Sequence, residues 1–399
     1  MSMDEKGIGR ASEGGTWLSF KNNVRDYVMY IALVVIFCIF AILTKGLFLS
    51  PRNLSDLMNQ TGYVAVLAIG MTLILIIKHI DLSVGFVAGF TGALAARLLM
   101  AGWQTWMVIP AILLVGVAIG VYQGFLVAKV GVPAFVTTLA GMFIFRGLLS
   151  MVTASTGTII VRDETFRALS NGFVPDIFAG AVSGVHLLTL LIGAVGICAI
   201  IILQVRARRN MQRYHFHVSA FPMFALKVLV FVAVVAAFTW KLANYKGLPW
   251  TAVIVGIVLI VYNFMLNQTK FGRSIYAIGG NTEAAELSGI DVTRVTFIVF
   301  CSMSMLAALG GILYTSRLAS ATPAAGVGFE LDAIASSFIG GVSVSGGVGK
   351  VTNTIIGALV IMSLTNGMNL LGVDISFQYV VKGAIFIVAV AFDVISRRK

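Results

Sequence analysis

Residues 250–314 read WTAVIVGIVLIVYNFMLNQTKFGRSIYAIGGNTEAAELSGIDVTRVTFIVFCSMSMLAALGGILY. Two apolar runs flank a polar interval. Each run is about 20 residues long, the length a helix needs to cross the roughly 30 Å hydrocarbon core of a bilayer. The interval between them, 271–291, carries four charged residues and four glycines. Crossing, polar turn at the water, crossing back: this alternation sets the fold class.

The rest of the chain repeats the pattern. Of its 399 residues 59% are hydrophobic and 11% charged, against about one quarter charged in soluble domains. Read with a window of about 19 residues, candidate spans fall at 27–48, 62–79, 82–101, 106–128, 134–153, 184–204, 221–241, 250–267, 294–316, 332–349, 351–371 and 376–395. The expectation is an all-α polytopic membrane protein of about 12 transmembrane helices. A polar tail covers 1–26, one transmembrane domain covers 27–399, and a cytoplasmic loop covers 268–293. The tail has no short apolar core with a small-residue cleavage site, so the first span reads as an uncleaved anchor.

The formal net charge of +12 comes from basic residues scattered through loops, with no aromatic-interleaved basic face for nucleic acid. Placed on the spans, the larger share falls on one side: Lys6, Arg10, Lys21 and Arg25, then Lys129, then Arg206, Arg208, Arg209 and Arg213, then Lys270, Arg273 and Arg294, then Arg397, Arg398 and Lys399. The positive-inside rule makes that side, with both termini, cytoplasmic.

Several chemistries are excluded by pattern. Gly346–Lys350 reads GGVGK, but a phosphate loop needs Gly, four residues, then Gly-Lys-Ser/Thr, and Val344 and Val351 stand at the two ends. His79 and Asp81 lack a third metal ligand, as do His215 and His217. His186 has no serine partner for hydrolysis, and Cys38, Cys198 and Cys301 sit inside apolar runs with no disulfide spacing. No catalytic residue and no metal site emerge. Ion coupling needs ionisable groups within the bilayer, for which the candidates are Asp81, Arg97, Arg146 and Lys382, with Asp374 and Asp393 nearer span ends. Asp81, ahead of LSVG, reads as a cap for the next helix or as a group on the solute path.

Residues 332–349 hold five glycines and four serines, a poor helix and a poor apolar span. They read as a broken helix beside a pathway, or as a crossing packed through its small residues. Two long outer segments, 154–183 and 317–331, are expected to fold over the mouth or to meet a partner. A faint echo joins 80–94 and 342–359, each a Ser/Gly knot ahead of Gly-Ala-Leu.

Within the polar interval, Asn281 is a good N-cap, Glu283 and Glu286 suit the positive end of a helix, and Gly289 can close it. Asp291 then caps the next span. The helix so defined, TEAAELS, is shorter than the about 12 residues needed for stability alone. It is either an ordinary capped loop or a docking helix, with Ala284 and Ala285 allowing close approach, Leu287 apolar, and Gly279 and Gly280 setting its angle.

FGRSIYAIGGNTEAAELSGI resembles the coupling loop of the membrane permeases of bacterial ABC monosaccharide importers. HIDLSVG (79–85), VPAFVTTLAGMFIFRG (132–147), ELDAIASSFIGGVSVSGGVG (330–349), NGMNLLGV (366–373) and QYVVKGAI (378–385) resemble the same family, its xylose-type members most. The resemblance implies a ten-helix core similar to the vitamin B12 importer permease, plus two extra helices near 184–204 and 221–241. It implies a bacterial inner-membrane location, a second permease copy, a cytoplasmic ABC ATPase docking on Gly279–Gly289, and a periplasmic sugar-binding protein. ATP is then used by the partner subunit, with no cofactor in this chain, which is not itself an enzyme. Asp81, Ser83, Ser343, Ser345, Asn366 and Asn369 are candidates for the translocation path, the two asparagines lying i,i+3 on one helix face or serving helix packing. Arg52, Arg317 and Glu330 at the outer mouth are candidates for salt bridges to the binding protein or for contacts to lipid head groups.

Overall fold

Each long apolar run becomes a helix, and where it starts is set by local chemistry. The computed structural model describes residues 14–178, 184–214 and 221–397. Its helices are α1 (Gly14–Leu43), α2 (Pro51–Ile76), α3 (Val84–Met100), α4 (Thr105–Phe125), α5 (Ala134–Thr153), α6 (Glu164–Asn171), α7 (Leu187–Arg213), α8 (Phe221–Ala243), α9 (Trp250–Gln268), α10 (Lys270–Gly280), α11 (Thr282–Leu287), α12 (Val292–Leu318), α13 (Phe329–Ile339), α14 (Val351–Leu370) and α15 (Ile375–Arg397). Seven of them, α2, α4 with its π-helical last turn Leu126–Val130, α5, α7, α9, α12 and α14, are long and apolar enough to cross a membrane. Shorter apolar helices lie at Met29–Leu43, Val84–Met100, Val232–Ala243 and Ile375–Val388. The chain is thus an all-α polytopic membrane protein. The one sheet among the described residues is a two-residue antiparallel pair, Ile159–Ile160 against Ser320–Ala321.

α2 forms the centre. It starts earlier than hydropathy indicates, because Ser50 caps it by accepting from the Asn53 amide and Pro51 takes its first position. Almost every side chain from Thr61 to Ile77 is buried, so this helix is walled by protein on all faces. α12 packs beside it and receives α4 through a glycine stripe. A Cβ on Gly116, Gly120 or Gly124 would press into α12 at Ala308 and Ser304, at Cys301, or at Phe297. Backbones that approach this closely gain dispersion contacts where lipid offers no hydrophobic drive.

Two helices start inside the bundle. α3 begins at Val84, and the preceding Ser83 hydroxyl accepts from the Gln123 side chain at 2.7 Å, whose oxygen accepts from Ser304 at 3.4 Å. Ser304 lies twelve residues into the 27-residue α12, about 18 Å from its start at roughly 1.5 Å per residue. α13 starts beside it: Gly85 and Gly326 touch backbone to backbone, and a Cβ on either would overlap the other's carbonyl oxygen.

Of the two readings of 332–349, the structure shows the broken helix and not the continuous crossing. Only 11 residues, Phe329–Ile339, are helical, about 16 Å of helix and half of a bilayer core. Glycines that accept left-handed backbone break it: Gly341, Gly346 and Gly347 have φ of 84°, 77° and 70°. The chain still passes from one end of the bundle to the other, by the irregular segment 319–328, then α13, then the loop 340–350. Two smaller differences concern ends. α1 already runs from Gly14, within the expected tail, while Lys6, Arg10, His215, His217, Arg398 and Lys399 lie outside the described residues.

Three of the four ionisable candidates within the spans, Arg97, Arg146 and Lys382, make structural contacts. Lys382 of α15 donates to both carboxylate oxygens of Asp332 on α13, at 3.0 and 3.2 Å. Arg97 donates to Ser155 at 2.7 Å, and the Arg146 guanidinium lies 5.6 Å from the Phe86 ring centroid. A half-helix held by a largely buried ion pair depends on both partners, since removing one strands a charge at a cost of about 3–5 kcal/mol. Lys382→Met alone is expected to lower the unfolding temperature in detergent clearly more than the double variant Asp332→Asn/Lys382→Met. Equal losses in the two would show that the pair carries no such dependence.

Candidate functional site

The polar interval folds as two short helices in succession. The Thr269 hydroxyl accepts from the Gly272 amide at 3.1 Å and starts α10. Asn281 ends α10 and caps α11, its side chain accepting from Ala284 N at 3.0 Å. Gly289, at φ 82°, turns the chain into Asp291, which caps α12 by accepting from Arg294 N at 2.8 Å. The expected caps are thus all in place. The helix over 270–280 was not expected, because three glycines in eleven residues lower its propensity.

α11 is held against the bundle by one face. Ala285 is buried, whereas Glu283, Ala284, Glu286 and Ser288 are exposed. Leu287 is 87% exposed, more than any other large apolar side chain among the described residues. Ala285 therefore anchors the helix, and Glu283, Ala284, Glu286 and Leu287 form its outward surface. An exposed leucine beside two carboxylates is an unusual thing to present to water.

The seat beneath is made by three segments. Ile76 at the end of α2 accepts, through its carbonyl oxygen, from Gly347 N at 2.9 Å. Gly279 lies on the same carbonyl so closely that any Cβ would overlap it. Lys78, itself at φ 63°, donates to the Gly280 carbonyl at 3.2 Å. The Tyr276 hydroxyl donates to the Gly349 carbonyl at 2.7 Å, and burial raises the pKa of that phenol, so it remains a donor at neutral pH. Gly279 and Gly280 thus do more than set an angle: they join α10 to the end of α2 and to the loop before α14. Gly346 and Gly347, left over once the phosphate-loop reading of GGVGK fails, are the sequence signal that could have found this seat. Beside it lies a cavity of about 350 Å³, lined by Ile77–His79, Val127, Ala128, Gly131–Ala134, Ile278, Thr282, Val292, Thr293 and Thr296.

The path candidates separate into two groups. Asp81 is fully buried; its Oδ1 accepts from the Ser83 amide at 2.8 Å and hydroxyl at 2.7 Å, and its Oδ2 has no partner. It shapes the turn just ahead of α3 rather than capping the first helical turn directly. Gln123 and Ser304, which the sequence reading missed, extend that network into α4 and α12. A lone amide in the apolar run of α4 was the available signal. Ser343 and Ser345 share a 2.9 Å hydrogen bond within the loop before α14. Asn366 is engaged in packing, bonded to Asn53 at 2.9 Å and Gln60 at 3.3 Å, and Asn369 accepts from Gln378 at 2.8 Å.

At the opposite end, α6 lies across α12. Ser170 and Asn171 bond to Leu313, Ser316 and Arg317, so the described part of the expected segment 154–183, its residues 154–178, folds over that end; residues 179–183 lie outside the described residues. Asp176 accepts from Phe178, Leu188 and Leu187 amides and faces His186. Burial opposes its charge, yet those donors hold its carboxyl below the usual range. Arg52 is exposed in the first turn of α2. Glu330 stands apart from it and from Arg317: its Oε2 is buried beside Gly85, fifteen residues and about 22 Å from the Met100 end of α3. The expectation that Glu330 lies at the outer mouth is corrected accordingly.

Residues 53–390 match the family described as branched-chain amino acid transport system / permease component. The chain is 38% identical to the xylose transport system permease protein XylH of Haemophilus influenzae, over 94% of this chain and 98% of that protein. It is 37% identical to XylH of Escherichia coli, over 94% and 93%, and 34% identical to the ribose import permease protein RbsC of H. influenzae, over 91% of each. No solved structure matches the chain. The chain belongs to the branched-chain amino acid transport permease family.

Gly279→Val is expected to unseat α10 and to abolish the family's transport activity while the chain still reaches the membrane, because backbone, not a flexible side chain, occupies the space. Tyr276→Phe, which loses one hydrogen bond worth about 1 kcal/mol, should leave partial activity. Solute uptake alongside membrane-fraction blotting measures both, and full activity of Gly279→Val would show that the seat is not needed.

Proposed function

We propose that this chain is the membrane-spanning permease subunit of an ATP-driven ABC importer that moves a monosaccharide, xylose or a related pentose or hexose, across the bacterial inner membrane. The observation that carries the reading is α11: a pre-capped helix presenting exposed Leu287 on the same outward surface as Glu283 and Glu286, in a chain whose relatives are xylose and ribose transport permeases. A cytoplasmic ABC ATPase docks there and hydrolyses ATP; this chain holds no cofactor of its own and is not the enzyme. A periplasmic sugar-binding protein delivers solute at the α6 end, with Arg52 and Arg317 as contacts. Two permease copies form the pore, surrounded by membrane lipid.

In this reading residues 27–399 are one permease domain, 268–293 is its cytoplasmic coupling loop, and both termini are cytoplasmic. Twelve passages through the membrane remain, one of them the irregular segment with α13. Ten of them form a core similar to the vitamin B12 importer permease, and α7 with α8 form the added pair.

The mechanism follows from the seat. A push on α11 reaches Gly279, and Gly279 rests on both the Ile76 carbonyl and Gly347. One displacement therefore acts on the turn from α2 into α3 and on the loop from α13 into α14. Those two elements carry Asp81 and Ser83, and Ser343 and Ser345. α3 and α13 meet at Gly85 and Gly326, so a shift in both changes the middle of the bundle together. ATP binding in the partner thus biases inward- and outward-open states through differential contact with α11.

Glu283→Lys/Glu286→Lys, or Leu287→Asp, should abolish sugar uptake and capture of the ATPase with little change in thermal stability, since these side chains are exposed. Survival of both uptake and capture would sink the docking claim. In liposomes holding permease, ATPase and binding protein, labelled pentose should accumulate only with ATP. Accumulation driven by a proton gradient without ATPase would assign the chain to ion-coupled transport through Asp81.

A further inference from the structure

The two helices α7 and α8 form an antiparallel hairpin at the margin of the fold. The His186 amide donates to the Ala243 carbonyl at 2.9 Å and closes one end. At the other end α7 runs on for nine residues past its apolar part, as VRARRNMQR, 205–213. From Ile177 to Thr282 the sequence contains no Asp or Glu. No carboxylate close in sequence can therefore neutralise the arginines of this extension.

At about 100° per residue, Arg206, Arg209 and Arg213 fall within one sector of about 60°. Val195 and Ile202, 69% and 51% exposed, fall in the same sector. One helix face thus changes along its length from exposed apolar to basic. The roughly opposite face meets α8: a Cβ on Gly193 would overlap Thr239, and the Arg208 guanidinium lies 4.7 Å from the Phe224 ring centroid and 5.8 Å from that of Phe221. Arg208 thus secures the hairpin, while Arg206, Arg209 and Arg213 are exposed and make no hydrogen bond or ion pair among the described residues. From Arg206 to Arg213 the helix rises about 10 Å, comparable with the depth of a head-group layer.

We propose that Arg206, Arg209 and Arg213 of α7 form a binding site for the phosphate groups of anionic phospholipids, with Val195 and Ile202 lying along the acyl chains of the same lipids. The continuity of the exposed apolar face into the basic one favours a lipid over a soluble partner. A lipid alone offers both surfaces in that order. α7 ends on the same side of the bundle as α9 and α11, so the site lies on the coupling side. That side is the inner leaflet if the reading under Proposed function holds; the lipid chemistry itself does not depend on that reading.

The experiment uses the full-length protein in detergent, with native mass spectrometry during titration by phosphatidylglycerol or phosphatidylcholine. Phosphatidylglycerol adducts should dominate in the unaltered chain. Arg206→Gln/Arg209→Gln/Arg213→Gln should weaken them on the order of a hundredfold, at about fivefold per arginine. Lys246→Gln, at the far end of the hairpin, should leave them unchanged, and a matched unfolding temperature shows that the triple variant is folded. Equal phosphatidylglycerol retention by the triple variant overturns the proposal. So does displacement of the lipid by millimolar inorganic phosphate, which would make the site one for free anion. Loss of ATPase capture in the triple variant with lipid retention intact would give the face to a protein partner. Retained lipid selectivity in a chain that shows no sugar uptake would count against the import reading alone.

Discussion

Backbone amides and carbonyls at membrane depth must be bonded within the protein, because hydrocarbon offers them nothing. A helix meets this condition along its length, and a break in a helix does not. Both breaks here are therefore closed by protein groups. After α2, Lys78 N and His79 N bond back to Leu75 and Ile74, Thr138 donates to the Ile80 carbonyl, and Asp81 takes the Ser83 amide. After α13, Gly340 to Val342 bond back into the helix, Ser343 N bonds to Val348, and Gly347 N reaches across to Ile76. Breaks built in this way are specific, since each relies on a partner from another element.

That dependence explains where the glycines are. The first turn of α3 meets the segment ahead of α13 at Gly85 and Gly326, and the two breaks approach each other at the α11 end through Gly279, Gly346 and Gly347. In both places the contact is backbone against backbone, which only a residue without Cβ permits. Such contacts are stiff: a side chain can change rotamer, whereas a carbonyl against an α-carbon can only move with its segment. The path from α11 to the interior thus consists of elements that transmit displacement rather than absorb it.

Apolar helix identity was legible in the sequence, and the polar interior was not. The span 134–153 matches α5 residue for residue, because Gly131 and Pro133 mark its start and the polar turn Ser155–Gly157 marks its end. α2 was cut short by eleven residues at its start, since Arg52, Asn53, Asp56, Asn59 and Gln60 depress hydropathy. The structure accommodates part of them by amide pairing, Asn53 with Asn366 and Asn366 with Gln60. Hydropathy counts such residues as exposed to lipid, whereas here they face protein. The caps at Asn281, Gly289 and Asp291 were readable because capping is local. The seat was not, because Ile76, Gly279 and Gly347 are brought together only by the tertiary fold. Glu330 was misplaced for the same reason: polar residues after α12 suggest an outer loop, yet that segment turns back into the bundle to start α13.

The same separation of local from tertiary effects bears on how α11 meets a partner. Six residues of helix would be marginal alone in water. Here Asn281 contributes a cap worth about 1 kcal/mol, Gly289 relieves the closing turn, and buried Ala285 ties the middle to the bundle. The helix is therefore ordered before anything binds. A partner need not supply the ordering free energy, which for a flexible segment is lost from affinity. Leu287 can remain almost fully exposed at modest cost because it is one side chain, too small a patch to drive aggregation. Against a complementary apolar pocket its burial contributes about 1.5–3 kcal/mol, while the flanking Glu283 and Glu286 select a partner with basic groups around that pocket. In the proposed docking, rigidity makes α11 an effective lever: free energy released on binding goes into moving α10 and its seat rather than into folding the helix that receives it.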